Sequence, residues 1–395
     1  MEKLKKFNTQ EEYQAWKDSD DYVYPNVCKV GDNIVYNDYP DPFWVEALED
    51  VIVKIKDYNH YAAFDYCGCY SFDKFNWVVC ESSITLRKGN KIYIKSLITD
   101  GGDGRCFIDV SGKHNIGGSV LSLAWGDEYL IRKYFGSKYS GYLPFISINN
   151  IINAKDLVLG EEFNPNSDST YGAFENLFLG ASQMISAPKL LKVPLKDGCY
   201  KKMFKDCVSL LKAPTIYYNT GSESYSCEEM FSGCVKLSYI KYMGIGNFNS
   251  KYNGWSYNWV QGVSPTGTFI ANANRTDFTR GVSGIPEGWD LYLYDEDNDR
   301  YVVKFLVNSI PYEYYTDEPK DITWNEFINS EYNTNGFTAQ QEDGETAKTI
   351  KFGDNYVLLS GNKVLITDKV ILNASYTIGQ PTATTELTET TNEEE

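Results

Sequence analysis

The side chains of this 395-residue chain that could do chemistry are nine Cys, two His and 54 Asp or Glu. A thiolate is a nucleophile and a soft metal ligand, and two thiols can close a disulfide. Cys207 and Cys234 stand 27 residues apart in similar surroundings, which offers a metal site or a cross-link. Zinc spacing is absent, because no Cys pair two to four residues apart is matched by a second pair or by His. Cys67-Gly68-Cys69 is one residue short of a redox Cys-x-x-Cys motif. The number of thiols is odd and their spread uneven, so they are expected to be reduced, buried and hydrophobe-like. His60 and His114 are the only imidazoles, which excludes most His-based triads, proton relays and zinc centres.

The carboxylates are equally unspecific. Asp295, Asp297 and Asp299 imitate the opening of a calcium loop and form a weak calcium candidate. Arg300 stands where that loop needs Gly, and Leu306 where it needs Glu, so a solvated linker is expected. Asp100-Gly101-Gly102-Asp103-Gly104 is Gly-rich but acidic and lacks a Lys-Ser/Thr follower, so it is expected to be a turn rather than a phosphate cradle. Paired carboxylates can cleave glycans, yet no motif singles out a pair. No catalytic residue, cofactor or resident metal is expected.

The net charge is −17, of which five negative charges lie in the last sixteen residues. A surface this acidic repels phosphate backbones, so nucleic acid is not an expected partner. No apolar run is long enough to span a membrane, so no membrane insertion is expected. The opening residues 1–8 lack an apolar signal core, so no Sec export is expected. The unusual abundance is Tyr, with 32 residues, joined by eight Trp. These side chains favour recognition surfaces and also strands.

The elements expected to position these groups form a mainly β and α+β multidomain chain. Residues 1–42 are a leader. Thr9-Gln10-Glu11-Glu12 is a capping box opening a helix from Gln10 to Lys17, and Gly31-Asp32 is the centre of a hairpin. Residues 43–129 alternate as strands of a β-sandwich, with Val51, Val53 and Ile55 on one face and a hairpin signal at Gly89-Asn90. Residues 301–379 form an α+β module similar to a β-grasp, with a hairpin, a helix begun by the capping box Thr323-Trp324-Asn325-Glu326, and further strands. Residues 380–395 are an acidic, apolar-poor tail expected to be disordered.

The middle of the chain repeats. Leu177-Phe178-Leu179-Gly180-Ala181 returns 26 residues later as Met203-Phe204-Lys205-Asp206-Cys207, and again 27 later as Met230-Phe231-Ser232-Gly233-Cys234. Such a period belongs to leucine-rich-repeat solenoids, whose units cannot bury an apolar face alone and must stack. Each unit is expected to hold a Met-Phe turn of helix and then a Leu opening an extended stretch. The repeat core is expected at Phe178, Met184, Met203, Phe204, Cys207, Leu210, Met230, Phe231, Cys234 and Leu237. Residues 130–294 then comprise about three units and an aromatic cap. Ligand contacts are sought among Tyr217, Tyr218, Tyr225, Tyr239, Tyr242, Trp255 and Tyr257.

Cys199-Tyr200-Lys201-Lys202-Met203-Phe204-Lys205-Asp206-Cys207-Val208-Ser209-Leu210-Leu211-Lys212-Ala213-Pro214 resembles the repeat of BspA-like leucine-rich-repeat proteins of Bacteroides and their phages. Asn258-Trp259-Val260-Gln261-Gly262-Val263-Ser264-Pro265-Thr266-Gly267-Thr268-Phe269 and Gly284-Ile285-Pro286-Glu287-Gly288-Trp289 look like that family's closing motif and end. Phe7-Asn8-Thr9-Gln10-Glu11-Glu12-Tyr13 resembles the amino-terminal segment of tail or fibre proteins of crAss-like phages. The resemblance implies a non-enzymatic virion structural protein, a tail or head fibre that attaches to the host surface. Its leader would bind other virion proteins, and its repeats a bacterial surface glycan or protein. A homo-oligomer, for instance a trimer, is implied, although no heptad pattern specifies a coiled coil. The alternatives are a bacterial cell-surface adhesin and a polysaccharide depolymerase tail spike.

Overall fold

A computed structural model of the chain describes residues 5–7, 9, 12, 28–30, 33–35, 41–57, 68–80, 83–97, 106–125, 146–147, 149–160, 172, 174–193, 195–217, 225–249, 251, 254–275, 277–307, 310–320, 322–323, 326–327, 329–334, 349–350, 355–360 and 363–368. Among the described residues the protein is mainly β, with several sheets, none closed, and almost no helix. It divides into two compact units, Met1–Ile270 with Thr279–Trp289, and Ala271–Phe278 with Asp290–Glu395.

In the first unit, Lys5–Phe7 (β1), Cys28–Val30 (β2) and Asn33–Val35 (β3) form a small sheet. β2 and β3 are antiparallel, as the Gly31-Asp32 signal predicts, and β1 adds in parallel to β2. The Glu12 N–H donates to Thr9 Oγ1 at 3.1 Å, one half of the expected capping box. The rest of the expected helix, from Gln10 to Lys17, lies outside the described residues.

The next strands are Trp44–Ala47 (β4), Val51–Asp57 (β5), Gly68–Ser71 (β6), Val78–Val79 (β7), Ile84–Leu86 (β8), Lys91–Ser96 (β9), Cys106–Val110 (β10) and His114–Ser119 (β11). A four-residue helix, Ser122–Trp125, follows, and then Ile151–Val158 (β12). Two sheets result, one ordered β10-β5-β8 and the other β12-β11-β4-β9-β6-β7. Period-two alternation buries Val51, Val53 and Ile55 of β5 and Ile92 and Ile94 of β9. The two sheets approach closely at Gly68, where a Cβ would lie 2.7 Å from Ile55 Cγ2 and 2.9 Å from Cys106 Sγ.

The hairpin signal at Gly89-Asn90 has a different outcome. The arms β8 and β9 do not pair but enter different sheets. The Asn90 N–H donates to the Arg87 carbonyl at 3.0 Å, so the central residues are Lys88 and Gly89. Gly89, at φ 82°, holds the third position, where a type II turn needs positive φ. Such a turn splays its strands, whereas the primed turns of tight hairpins pair them. Asp50 fixes the turn by accepting from Arg87 and from the Lys88 amide.

His114 lies fully buried in β11, its Nδ1 2.7 Å from the Gly112 carbonyl oxygen. Burial holds its pKa below the ordinary 6.5, against the opposing hydrogen bond to Gly112. The folded protein therefore resists a proton that the unfolded chain accepts. The stability is present in full above about pH 6.5 and is lost as the pH falls through the depressed folded value. His114→Phe is expected to flatten the fall in urea midpoint between pH 7 and pH 5. An unchanged slope would show that His114 is not a source of the acid sensitivity.

From residue 172 to 263 the same unit carries four stacked rungs among the described residues. Alternate amides close local turns, as Met203 N–H to the Tyr200 carbonyl and Lys205 N–H to the Lys202 carbonyl, each at 3.1 Å. The intervening amides reach the next rung. Phe178 donates to Met203 O at 2.9 Å, Phe204 to Met230 O at 3.0 Å and Phe231 to Trp259 O at 2.8 Å. All backbone donors of the second rung, from residue 199 to 207, are thereby satisfied. These are successive turns and not the expected turn of helix. Left-handed residues recur at matching positions, Asn176, Lys202, Glu229 and Asn258 in one column and Gly180, Asp206, Gly233 and Gly262 in another. An α-helix cannot accommodate that pattern. Trp255–Val263, expected as part of the cap, is the fourth rung. The extended stretches beside the turns also align, with parallel bridges from Asn153 to Ser186, Lys212 to Tyr239 and Ile216 to Tyr242. Tyr239–Tyr242 (β13) and Thr268–Asn272 (β14) neighbour each other after them.

In the second unit, Asp290–Asp295 (β15), Arg300–Val307 (β16) and Ile310–Thr316 (β17) run antiparallel. The expected hairpin between β16 and β17 is present. The acidic segment expected as a linker is instead the turn between β15 and β16. Asp295 caps it by accepting from the amides of Asp297 and Asn298. Ile322–Thr323 (β18) pairs with Thr349–Ile350 (β19), so Thr323, expected to cap a helix, lies in a strand, and helix in this unit is confined to 326–327 among the described residues. Asn355–Ser360 (β20) and Lys363–Asp368 (β21) form a further hairpin. The tail 380–395 lies outside the described residues.

Candidate binding surface

Stacking turns the repeat into columns of side chains. One column is Phe178, Phe204 and Phe231, with ring centroids 5.6 Å apart at each step and planes within 6° of parallel. Leu177, Met203, Met230 and Trp259 form the adjacent column, all buried. Met184, Leu210 and Leu237 close the interior and are likewise inaccessible.

Cys207 and Cys234 form neither a metal site nor a disulfide. Each thiol points to the carbonyl of the preceding rung, Cys207 Sγ to Phe178 O at 3.1 Å and Cys234 Sγ to Phe204 O at 3.0 Å. Burial pushes the Cys234 and Cys199 thiols up to about 12, and raises Cys207 and Cys227 as well. Seven of the nine cysteines have described side chains, and all seven are buried and outside any disulfide. Native protein is therefore expected to release at most two equivalents with Ellman's reagent in the first minutes, and the remainder only in denaturant. Rapid reaction of three or more thiols would contradict this packing.

The other chemical candidates disperse. No group of three His, Cys, Asp or Glu able to hold a metal exists among the described residues. Asp295 is engaged by its turn and by the Tyr315 hydroxyl, and Asp299 accepts from the Tyr294 hydroxyl, so the weak calcium candidate Asp295, Asp297 and Asp299 does not assemble. Tyr242 and Trp255 lie in the interior rather than on a contact surface, stacked on each other at 5.5 Å. Stacking buries their apolar faces more completely than solvent contact could. Tyr218 lies outside the described residues.

Tyr217, Tyr225, Tyr239 and Tyr257 remain half-exposed on the stack. Three of them are covered by lysine: Lys192 lies 4.7 Å from the Tyr217 ring centroid, Lys201 4.4 Å from Tyr225 and Lys212 4.6 Å from Tyr239. Sequence reasoning singled out the tyrosines and missed their lysines. The signal was present, because residues 181–270 carry ten Lys, no Arg and five acidic residues, a net charge of +5 in a chain whose total is −17.

The turn side of the rungs carries compensated charge. Lys201 meets Glu228 at 3.5 Å, and Lys202 and Lys205 meet Glu229 at 3.3 and 2.9 Å. On the strand side, Lys192 and Lys212 lie over Tyr217 and Tyr239. No protein-family model, no curated protein and no solved structure matches the chain.

Proposed function

We infer that this protein is a non-enzymatic virion appendage of a phage, a tail or head fibre that attaches to the bacterial surface. The observation that supports it best is the register of the four rungs, which places chemically equivalent side chains in columns and leaves a lysine–tyrosine face outside. On this reading the rungs are a BspA-like leucine-rich-repeat solenoid, and the two facing sheets before them a β-sandwich. The strands from 290 onward belong to an α+β module. The leader, with β1 to β3, joins the protein to other virion proteins, and a homo-oligomer such as a trimer presents several copies of the face. Buried thiols with raised pKa are poor nucleophiles, which accords with a binding role.

The test is immunogold labelling of purified virions with an antibody raised against the stack. Gold at tails or head appendages is the expected result. Virions without gold, from a lysate that contains the protein, would overturn the assignment.

A further inference from the structure

We propose that this protein pairs with a second copy of itself, edge to edge through β7, with Val79 of each chain beside the two-fold axis. The proposal goes beyond the attachment reading, which stands or falls on the gold labelling.

The backbone of β7 is the first argument. β7 is the last strand of its six-stranded sheet, so among the described residues one of its edges has no neighbouring strand. In the antiparallel ladder with β6, Cys69 faces Val79 and Tyr70 faces Val78. The Cys80 amide donates to the Gly68 carbonyl at 3.1 Å, one step further along the same register. Hydrogen-bonded pairs alternate along such a ladder, so the amide and carbonyl of Val79 point away from β6. Neither has a partner among the described residues. A two-fold axis beside Val79 lets each copy donate its amide to the carbonyl of the other. That exchange is the hydrogen-bonded pair of antiparallel strands, and it is self-complementary, as a two-fold interface must be.

Apolar cover is the second argument. A strand with one covered face buries every second residue, as β8 and β9 do. In β7 both residues are exposed, Val78 at 52% and Val79 at 43%. Phe72 and Phe75, between β6 and β7, are 58% and 86% exposed. A cleft of about 600 Å³ continues this patch, lined by Tyr70, Phe72 and Val78 together with Ile84 and Thr85 of β8. Directly opposed residues share a face, so the pairing brings Val78 of each copy beside Cys80 of the other, on the cleft side. The four exposed side chains offer on the order of 400 Å² per copy. Interfaces are somewhat over half apolar, so two copies bury a total within the range of about 1,200–2,000 Å² that a specific pair needs.

Charge is the third argument. The chain carries −17 overall, so two copies repel each other over much of their surface. Residues 68–86 hold only Asp73, Lys74 and Glu81. Lys74 meets Asp41 at 2.6 Å, and Asp73 accepts from the amides of Phe75 and Asn76. Two copies therefore meet here with little repulsion. Apart from its shortness, β7 lacks the devices that keep edges apart, having no Lys, no Pro and no bulge. Its two-residue length limits the ladder to the exchange at Val79, so apolar contact supplies most of the affinity.

The experiment is sedimentation equilibrium of the full chain over a range of concentrations, in roughly 50 and 500 mM salt. A reversible dimer is expected, its dissociation constant changing less than about threefold between the two salts, because the contact is apolar. Val79→Pro removes both reciprocal amides at a position where an edge strand tolerates Pro, and is expected to weaken the dimer by roughly tenfold. Phe75→Ser is expected to weaken it by roughly tenfold as well. Val235→Ser, at an exposed aliphatic residue of the rung stack, is expected to leave it unchanged. Circular dichroism shows which variants fold. If Val79→Pro does not, Phe75→Ser carries the test, since its ring lies almost wholly in solvent. Five results would overturn the proposal: a monomer at every concentration, a trimer, dissociation by salt, a wild-type constant for an edge variant that folds, or equal weakening by Val235→Ser.

Discussion

Phe204→Ala is expected to cost about 3–5 kcal/mol of folding stability, the usual price of truncating a fully buried Phe. The ring is 0% exposed and sits between two others, with Phe178 on one side and Phe231 on the other, each at 5.6 Å. Planes 6° and 4° from parallel at that separation describe offset stacks, each worth about 0.5–1.5 kcal/mol beyond area burial. The cavity cannot refill easily, because the backbone on both sides is pinned by rung-to-rung hydrogen bonds at Phe178 and Phe204. Phe178 stacks on Phe204 alone among the described rings of this column, so Phe178→Ala is expected to cost less by about one stacking contribution. Urea unfolding of the two variants and of Phe204→Leu checks the order. Equal midpoints for Phe204→Ala and Phe178→Ala would show that the column acts as ordinary buried area and not as a stack.

That column was legible in the sequence, because Phe178, Phe204 and Phe231 recur at the repeat period and nothing but stacking makes such a period useful. The backbone that carries it was not. Met-Phe followed by Cys three residues on has helical spacing, and the sequence does not tell where an amide donates. The left-handed positions that exclude a helix hold Lys202 and Glu229, ordinary side chains that give no warning. The neighbouring column would have warned, with Gly180, Gly233 and Gly262, but Asp206 interrupts it. The fourth rung was hidden because Trp259 and Val260 replace Met and Phe, and the offset lengthens. At Gly89 the dipeptide marked a turn but not the expected hairpin: the turn is centred on Lys88-Gly89, and its arms enter different sheets. The tyrosine surface was half legible. Counting aromatics found Tyr217 and Tyr239, while the rung register that buries Tyr242 and Trp255 became visible only in the fold.

Lys201→Met is expected to cost about 3–5 kcal/mol, because it leaves a buried carboxylate without its cation. Lys201 and Glu228 are 14% and 7% exposed and 3.5 Å apart, with the Lys201 chain also lying over the Tyr225 ring. Glu175 occupies the same column one rung earlier. Burial raises its pKa, and Lys201 and Lys202 pull it back. Removing Lys201 therefore raises it further, so the folded variant takes up a proton more readily than the unfolded chain. A raised carboxylate pKa adds stability as the pH falls, so the deficit of Lys201→Met is expected to shrink from pH 7 to pH 5. The double variant Lys201→Met/Glu228→Met separates this from lost packing. Replacing both partners by apolar groups of similar volume is often neutral or stabilising, so it is expected to recover most of the loss. Urea midpoints of the wild type, both single variants and the double variant close the cycle. A double variant no more stable than Lys201→Met would mean that the stem of Lys201, and not its charge, holds the second rung between its neighbours.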